Sequence, residues 1–418
     1  MNRLVCDVCG ANIVVQEGGQ IGVCDHCGAN YSIGRMREIV SGIKVSQTGS
    51  AEDVEQWREL VQKYMDAGAF SDAENIVKKI LEAIPNDTQA NEQYDELQNL
   101  KYFDVRNGVL VKYNGEATKI RIPSVVKEIR ADAFRDRHYS GQNSGVLEEI
   151  VFSEGCEVID GDGYCGLFDG QNHLKSVKLP NSLKVIGNRA FRGCKSLSDL
   201  IMPEGLQTIG KEAFAECTSL SNLKFSEGLQ AIGQGAFKNC TSLGKIQFPS
   251  GLQEISGEAF VGCTLLTEVK LPDNLQLINA GSFLNCTSLT EVKLPDGIRS
   301  IEMSAFSGCT SLEKIQFPSG LQKISDRAFE NCTSLAEVGF PDSIQLIGSK
   351  AFFGCTSLKE VKLPIGNPFG NLYGEEDVFY RTKYLTEKNE CVRRRVCPEC
   401  RGEISFFGRC KKCGKQWK

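Results

Sequence analysis

The middle of the chain repeats one pattern of apolar and polar positions every 23 residues. It is marked by a phenylalanine that follows Ala, or in one copy Ser: Phe191, Phe214, Phe237, Phe260, Phe283, Phe306, Phe329 and Phe352. A cysteine stands three residues later in each copy: Cys194, Cys217, Cys240, Cys263, Cys286, Cys309, Cys332 and Cys355. Prolines keep the same period, with Ser226 in the one missing place: Pro180, Pro203, Pro249, Pro272, Pro295, Pro318, Pro341 and Pro364. This regularity predicts a repeat array.

Each copy is predicted to form a short strand followed by a turn. In CTSLTEVKLPDGIRSIEMSAFSG, Leu289, Val292 and Leu294 mark the strand, and Pro295 ends it. One copy cannot bury its apolar face alone, so the copies must stack with their strands paired about 4.8 Å apart. Nine or ten such coils would form a rod roughly 45 Å long.

The repeats are less regular at both ends of the array. A first unit surrounds Pro123 and Phe134, an insertion follows through His138, and the next unit contains Phe168. The residues after Pro364 are predicted to cover the last coil, because an open coil would expose apolar surface and a strand edge. We therefore expect a solenoid over residues 103–380, with a lead-in strand and a C-terminal cap.

Residues 51–102 have helical spacing and accommodate three helices. Ser71 and Glu74 are placed as a capping box, and Pro85 as a stop. The segment resembles a single tetratricopeptide repeat at these positions: Trp57, Leu60, Tyr64, Gly68, Ala73 and Pro85. Since one such repeat is too short for an independent array, we expect a structural adaptor, and a peptide-binding groove is the alternative.

The two ends of the chain carry the strongest chemical signal, two pairs of CxxC motifs. The first four cysteines lie in residues 1–34, and the second four in residues 381–418: Cys6, Cys9, Cys24 and Cys27, then Cys397, Cys400, Cys410 and Cys413. Four thiolates in two pairs match tetrahedral zinc, and both segments resemble zinc ribbons. We expect two structural zinc ions, since four protein ligands leave no open position for catalysis. Residues 35–50 would be a linker.

The other candidate metal ligands have simpler interpretations. His26 could replace a cysteine as ligand, but four thiolates already suffice. The eight periodic cysteines are interpreted as small core side chains at a fixed corner of each coil.

Composition bears on location and on the class of function. No apolar run spans a bilayer, and the start of the chain lacks a signal peptide, so we expect a cytoplasmic protein without a membrane span. The 19 cysteines then indicate metal binding or burial rather than disulfides. With three histidines and no nucleophile elbow, Walker loop or dinucleotide motif, enzymatic activity is not expected.

The repeat unit L-x-x-V-x-L-P-x-x-L-x-x-I-x-x-x-A-F-x-x-C resembles the BspA-like (Treponema-type) leucine-rich repeat, from about Ile120 to Pro364. The resemblance implies a bacterial protein that binds other proteins. The expected fold is a β-rich leucine-rich repeat solenoid with short helical turns, joined to a small α-helical segment and two zinc-ribbon modules.

Two hypotheses of function follow. The leading one is a protein-interaction scaffold, whose natural surface is two columns of side chains on the exposed strand face. These columns lack aromatic anchors and set opposite charges side by side, so a merely solvated face is the competing interpretation. The second hypothesis is a nucleic-acid-associated protein: 12 basic and 4 acidic residues from Arg381 to Lys418 give that segment +8, which leaves −13 on the rest of a chain with net charge −5.

Overall fold

A computed structural model describes residues 13–15, 21–24, 30–32, 51–66, 70–106, 108–130, 133–134, 147–160, 166–363 and 375–393. Near the N-terminus, three strands form an antiparallel sheet: β1 (Ile13–Val15), β2 (Ile21–Cys24) and β3 (Asn30–Ser32). Val14 of β1 lies opposite Val23 of β2, so these two strands pair antiparallel.

Three helices follow: α1 (Ala51–Asp66), α2 (Phe70–Ala83) and α3 (Thr88–Leu100). They enclose their own small core, which includes Trp57, Val61, Ala73 and Ile80. Asp87 caps α3, because its carboxylate accepts the backbone N–H of Ala90 at 2.7 Å. The apolar faces of the helices are thus buried mainly against each other.

A hairpin of β4 (Phe103–Arg106) and β5 (Val109–Tyr113) leads into a parallel solenoid of about ten coils. The first side of every coil contributes a strand to one parallel sheet, the first sheet: β6 (Lys119–Ile122), β8 (Glu149–Phe152), β10 (Ser176–Lys178), β12 (Asp199–Ile201), β14 (Asn222–Lys224), β16 (Lys245–Gln247), β18 (Glu268–Lys270), β20 (Glu291–Lys293), β22 (Lys314–Gln316), β24 (Glu337–Gly339) and β26 (Glu360–Lys362). Equivalent residues pair in register, as Val269 with Val292. The predicted repeat solenoid is confirmed.

Two-residue strands build the second sheet on the next side of the coils: β7 (Glu128–Ile129), β9 (Val158–Ile159), β11 (Val185–Ile186), β13 (Thr208–Ile209), β15 (Ala231–Ile232), β17 (Glu254–Ile255), β19 (Leu277–Ile278), β21 (Ser300–Ile301), β23 (Lys323–Ile324) and β25 (Leu346–Ile347). In the described residues neither sheet is one continuous ladder. The first sheet is paired in three blocks, β6–β14, β16–β22 and β24–β26, and the second in two, β4–β17 and β19–β25.

The third side of each coil is a hydrogen-bonded turn, where short helical turns had been expected. Each phenylalanine N–H donates to the next coil, as Phe214 to the carbonyl of Ala236 at 2.8 Å. Two left-handed residues flank that phenylalanine in each coil from Phe191 to Phe352, for example Glu258 (φ 61°) and Gly262 (φ 71°) around Phe260. Left-handed residues cannot continue a right-handed helix, which is why the third side stays a turn.

Asparagine and glycine alternate at the second left-handed corner of successive coils. Asn239 is followed one coil later by Gly262, and Asn285 by Gly308. A Cβ on Gly262 or Gly308 would overlap the Oδ1 atom of the asparagine in the preceding coil. The alternation therefore has a steric cause, because the asparagine side chain of one coil fills the place that a Cβ atom would take in the next coil.

The core of the solenoid is a column of stacked phenylalanine rings. From Phe168 to Phe352, neighbouring ring centroids lie 5.2–5.6 Å apart and the ring planes differ by 4–14°. Phe379 continues the column beyond the last coil at 5.5 Å from Phe352. It comes from a segment with α4 (Glu375–Val378) and α5 (Lys383–Arg393), which packs against that coil.

Candidate interaction surfaces

Most of the predicted zinc ligands lie outside the described residues. Cys6, Cys9, Cys27, Cys397, Cys400, Cys410 and Cys413 are in this group. The backbone of Cys24 is described, at the end of β2 and opposite Ile13 of β1. Among the described residues, no group of three or more His, Cys, Asp or Glu side chains could hold a metal ion. The two zinc sites therefore stay predictions.

The periodic cysteines form a buried column, the cysteine ladder, from Cys194 to Cys355. Each thiol is inaccessible to solvent and donates to the phenylalanine carbonyl of the preceding coil, at 3.1–3.3 Å. Burial raises the pKa of Cys217 and Cys286 to about 12. A raised pKa keeps the thiol protonated, and only the thiolate is reactive and binds metal. These cysteines therefore act as core side chains.

The two columns of the first sheet face solvent, as their alternation with buried residues predicted. The exposed residues of one column are Asp199, Asn222, Lys245, Glu268, Glu291, Lys314, Glu337 and Glu360. Those of the other are Lys178, Ile201, Lys224, Gln247, Lys270, Lys293, Gln316, Gly339 and Lys362. Across strands both kinds of pair occur: Lys245 lies opposite Glu268 and Glu291 opposite Lys314, but other neighbours carry like charges.

Glu268 lies directly opposite Glu291, and Lys270 opposite Lys293. Like charges at such short range are mildly unfavourable unless water screens them. In the described part of the two columns, the one large apolar side chain is Ile201, which is 81% exposed. This face thus lacks the clustered apolar anchors of a tight interface.

The helical segment contacts the first coil through one turn of the chain. The carboxylate of Glu96 accepts hydrogen bonds from the backbone N–H and the hydroxyl of Ser124, at 2.8 and 2.7 Å. Val125 packs against the helical core next to them. Beside this contact, a polar crevice of about 350 Å³ lies between α3 and the strands β6 and β8.

A larger groove opens on the second sheet, between β17 and β19. Its volume is about 770 Å³, and its walls come from coils around Gln230, Gln253 and Gln276. Sequence reasoning missed this groove. The one available signal was Asn279, because the equivalent residue of the other regular coils is glycine, serine or glutamate.

None of the described helices is long and apolar enough to cross a membrane.

Several solved structures are similar to parts of this chain. A solved leucine-rich repeat protein from Bacteroides ovatus is 28% identical over 62% of this chain and 76% of its own, with a TM-score of 0.41. The pneumococcal vaccine antigen PcpA is 26% identical over 59% of this chain and 63% of its own, with a TM-score of 0.41. The leucine rich repeat protein of T. pallidum is 22% identical over 66% and 90%, with a TM-score of 0.35. No curated protein matches.

The family model for the BspA type leucine rich repeat region matches in six copies, over residues 163–290 and 276–387. These two ranges together cover more than half of the 418 residues. The chain belongs to the BspA type leucine-rich repeat family.

Proposed function

We propose that this chain is a non-enzymatic protein-interaction scaffold that binds partners through the exposed surface of its solenoid. The observation that carries the proposal is the contrast between buried and exposed positions. Buried positions repeat nearly unchanged, with the same phenylalanine and cysteine in eight coils, whereas the exposed positions of those coils change in charge, size and polarity. A family associated with protein binding supports the same conclusion.

The proposal assigns a supporting role to the eight terminal cysteines. They would hold two zinc ions, each with four thiolate ligands, and so stabilise the ends of the chain. Structural zinc of this kind contributes on the order of 10 kcal/mol to the folding of its module. The spacing of the CxxC pairs, and the strands β1 and β2 between the first two pairs, support this assignment.

We also propose that the protein resides in the reducing cytoplasm. Nine cysteines are free thiols: Cys156 and the eight of the cysteine ladder. Cysteines that are buried singly in this way suit a compartment where disulfides are not formed.

Affinity capture from native cells tests the proposal, with the full chain as bait and an empty tag as control. We expect protein partners that survive nuclease treatment, and that are kept by a bait without residues 381–418. Recovery of no protein above the control would refute the scaffold. Recovery of nucleic acid alone, lost at high salt and with the deletion of 381–418, would favour the alternative of binding through the basic C-terminal ribbon.

A further inference from the structure

The second sheet is open between β17 and β19, although the chain there keeps the 23-residue period. In other coils the ladder is closed by backbone hydrogen bonds, such as Gln253 N–H to Gln230 O at 2.9 Å and Ser256 N–H to Ile232 O at 2.8 Å. Throughout residues 230–302, all of them described, no backbone hydrogen bond joins β17 to β19. Backbone pairing resumes one coil later, where Arg299 N–H donates to Gln276 O at 2.7 Å.

Two asparagine side chains join the opened coils, and one of them, Asn279, takes the place of a backbone donor. The Nδ2 atom of Asn279 donates to the carbonyl of Ile255 at 2.8 Å, and Nδ2 of Asn274 donates to the carbonyl of Ser250 at 3.0 Å. In other coils the acceptor equivalent to Ile255 receives the backbone N–H of a glycine, a serine or, at Glu302, a glutamate. The Asn279 side chain therefore acts as a spacer between the two strands.

The opening is confined to one side of the coils. On the third side, Glu258 N–H donates to Ala280 O and Phe260 N–H donates to Ser282 O, both at 2.9 Å. On the first side, β16, β18 and β20 remain paired in register. The core is therefore closed beneath a groove of about 770 Å³ that is lined by residues of β17 and β19 and their neighbours.

The lining of the groove selects a class of ligand. Carboxamides dominate it, with Gln230, Gln253 and Gln276 at the same position of three successive coils and Asn274 and Asn279 beside them. Each carboxamide both donates and accepts hydrogen bonds. Leu277 is 41% exposed and adds an apolar contact.

The same lining argues against other ligands. It contains no lysine or arginine, which a phosphate or nucleic acid would need, and no aromatic ring, on which a base would stack. Its single charge is the carboxylate of Glu254. The groove thus favours a neutral or basic ligand that alternates donors and acceptors.

We infer that this groove binds an extended, uncharged or basic peptide segment of a partner protein, through its main chain. Such a segment alternates N–H and C=O groups along both edges. These groups can form hydrogen bonds with backbone groups of β17 and β19 that are not paired with each other, and with the carboxamides of the three glutamines. Leu277 contacts an apolar side chain of the peptide, and Glu254 attracts a lysine or arginine. The inference rests on the proposed protein-binding function and assigns its surface.

The test selects random peptides of about twelve residues, displayed on phage, on the immobilised full chain. The enriched peptides are then measured against three variants. Gln253→Lys with Gln276→Lys places two cations in the groove, and Asn279→Gly removes the spacer so that the ladder can close. The matched control is Gln322→Lys with Gln345→Lys, in the same exposed column where β23 and β25 are paired.

We expect enriched peptides that are poor in Asp and Glu, and that bind both groove variants at least about tenfold more weakly, with no change for the control pair. Bound peptide should also slow the amide hydrogen exchange of Leu277 and Asn279. All substituted side chains except Asn279 are exposed, so folding is expected to persist and is checked by circular dichroism.

The inference fails if no peptide is enriched, or if the groove variants and the control pair weaken binding equally. It also fails if the enriched peptides are acidic. In each case the scaffold function still stands as long as affinity capture recovers protein partners, so the two failures are distinguishable.

Discussion

Removal of one ring from the phenylalanine column should uncouple the solenoid at that coil. Phe260 has no solvent exposure, and its ring lies 5.4 Å from that of Phe237 and 5.6 Å from that of Phe283, nearly parallel to both. Phe248 and Phe260 form an edge-to-face pair whose ring centroids are 5.6 Å apart. The substitution Phe260→Ala therefore deletes three ring contacts and leaves a cavity in the middle of the stack.

The expected cost follows from these contacts. Phe→Ala substitutions in cores cost about 3–5 kcal/mol, and each ring pair contributes about 0.5–1.5 kcal/mol beyond burial. Because the contributions overlap, we expect Phe260→Ala to lower the free energy of unfolding by about 4 kcal/mol. Phe260→Leu keeps much of the apolar volume and loses only the ring pairs, so about 2 kcal/mol is expected.

Denaturation in guanidinium chloride, followed by far-ultraviolet circular dichroism, measures these costs. In a stack with nearest-neighbour coupling, weakening one central coil should also broaden the transition, since the two flanking halves unfold more independently. Leu265→Ala, five residues along the chain, is the control, because Leu265 is 55% exposed and its loss should lower the free energy of unfolding by less than about 0.5 kcal/mol. The reasoning is refuted if Phe260→Ala costs no more than that control.

Four further outcomes are expected. The raised pKa of Cys217, about 12 against an ordinary 9.0, keeps the folded thiol protonated while the unfolded one ionises. Stability should therefore be full below about pH 9 and fall as the pH rises toward 12, and a stability that stays flat in alkaline titration would contradict this. Gly308→Ala should lower the free energy of unfolding by about 1–3 kcal/mol. Asn285→Ala removes the overlapping Oδ1 atom and should restore part of that loss, which a double-mutant cycle measures. Ser226→Pro should raise the free energy of unfolding by about 0.5 kcal/mol, because proline stands there in the other coils and the buried Ser226 hydroxyl has no hydrogen-bond partner; a lower melting temperature would count against it. Atomic absorption should find two zinc ions per chain, and full retention of metal after thiol alkylation would contradict thiolate ligation.

The periodicity of the sequence was enough to predict the coils. Phenylalanine and cysteine recur with one spacing, and each such residue of the eight regular coils is buried, because stacked coils place equal positions on one line. The two exposed columns of the first sheet followed from the strand alternation in the same way. The prediction of short helical turns on the third side was wrong, because the conformation of that side depends on backbone angles that composition alone does not reveal.

The groove could not be predicted, because it depends on a competition between two donors for one carbonyl. In most coils a backbone N–H reaches the acceptor equivalent to Ile255, whereas in one coil the side chain of Asn279 does. The sequence shows an asparagine at this position, but it does not show whether the backbone N–H or the side-chain Nδ2 of that asparagine donates to the carbonyl. The alternation of Asn and Gly at the other corner was readable in principle, since it keeps the same period.

The most direct test of a binding solenoid is hydrogen–deuterium exchange of the full chain, alone and with a protein partner recovered by affinity capture. The account predicts slower exchange within residues 166–363, centred on the coils of Gln253 and Gln276. Slower exchange confined to residues 1–34 or 381–418, with the coils unchanged, would contradict it.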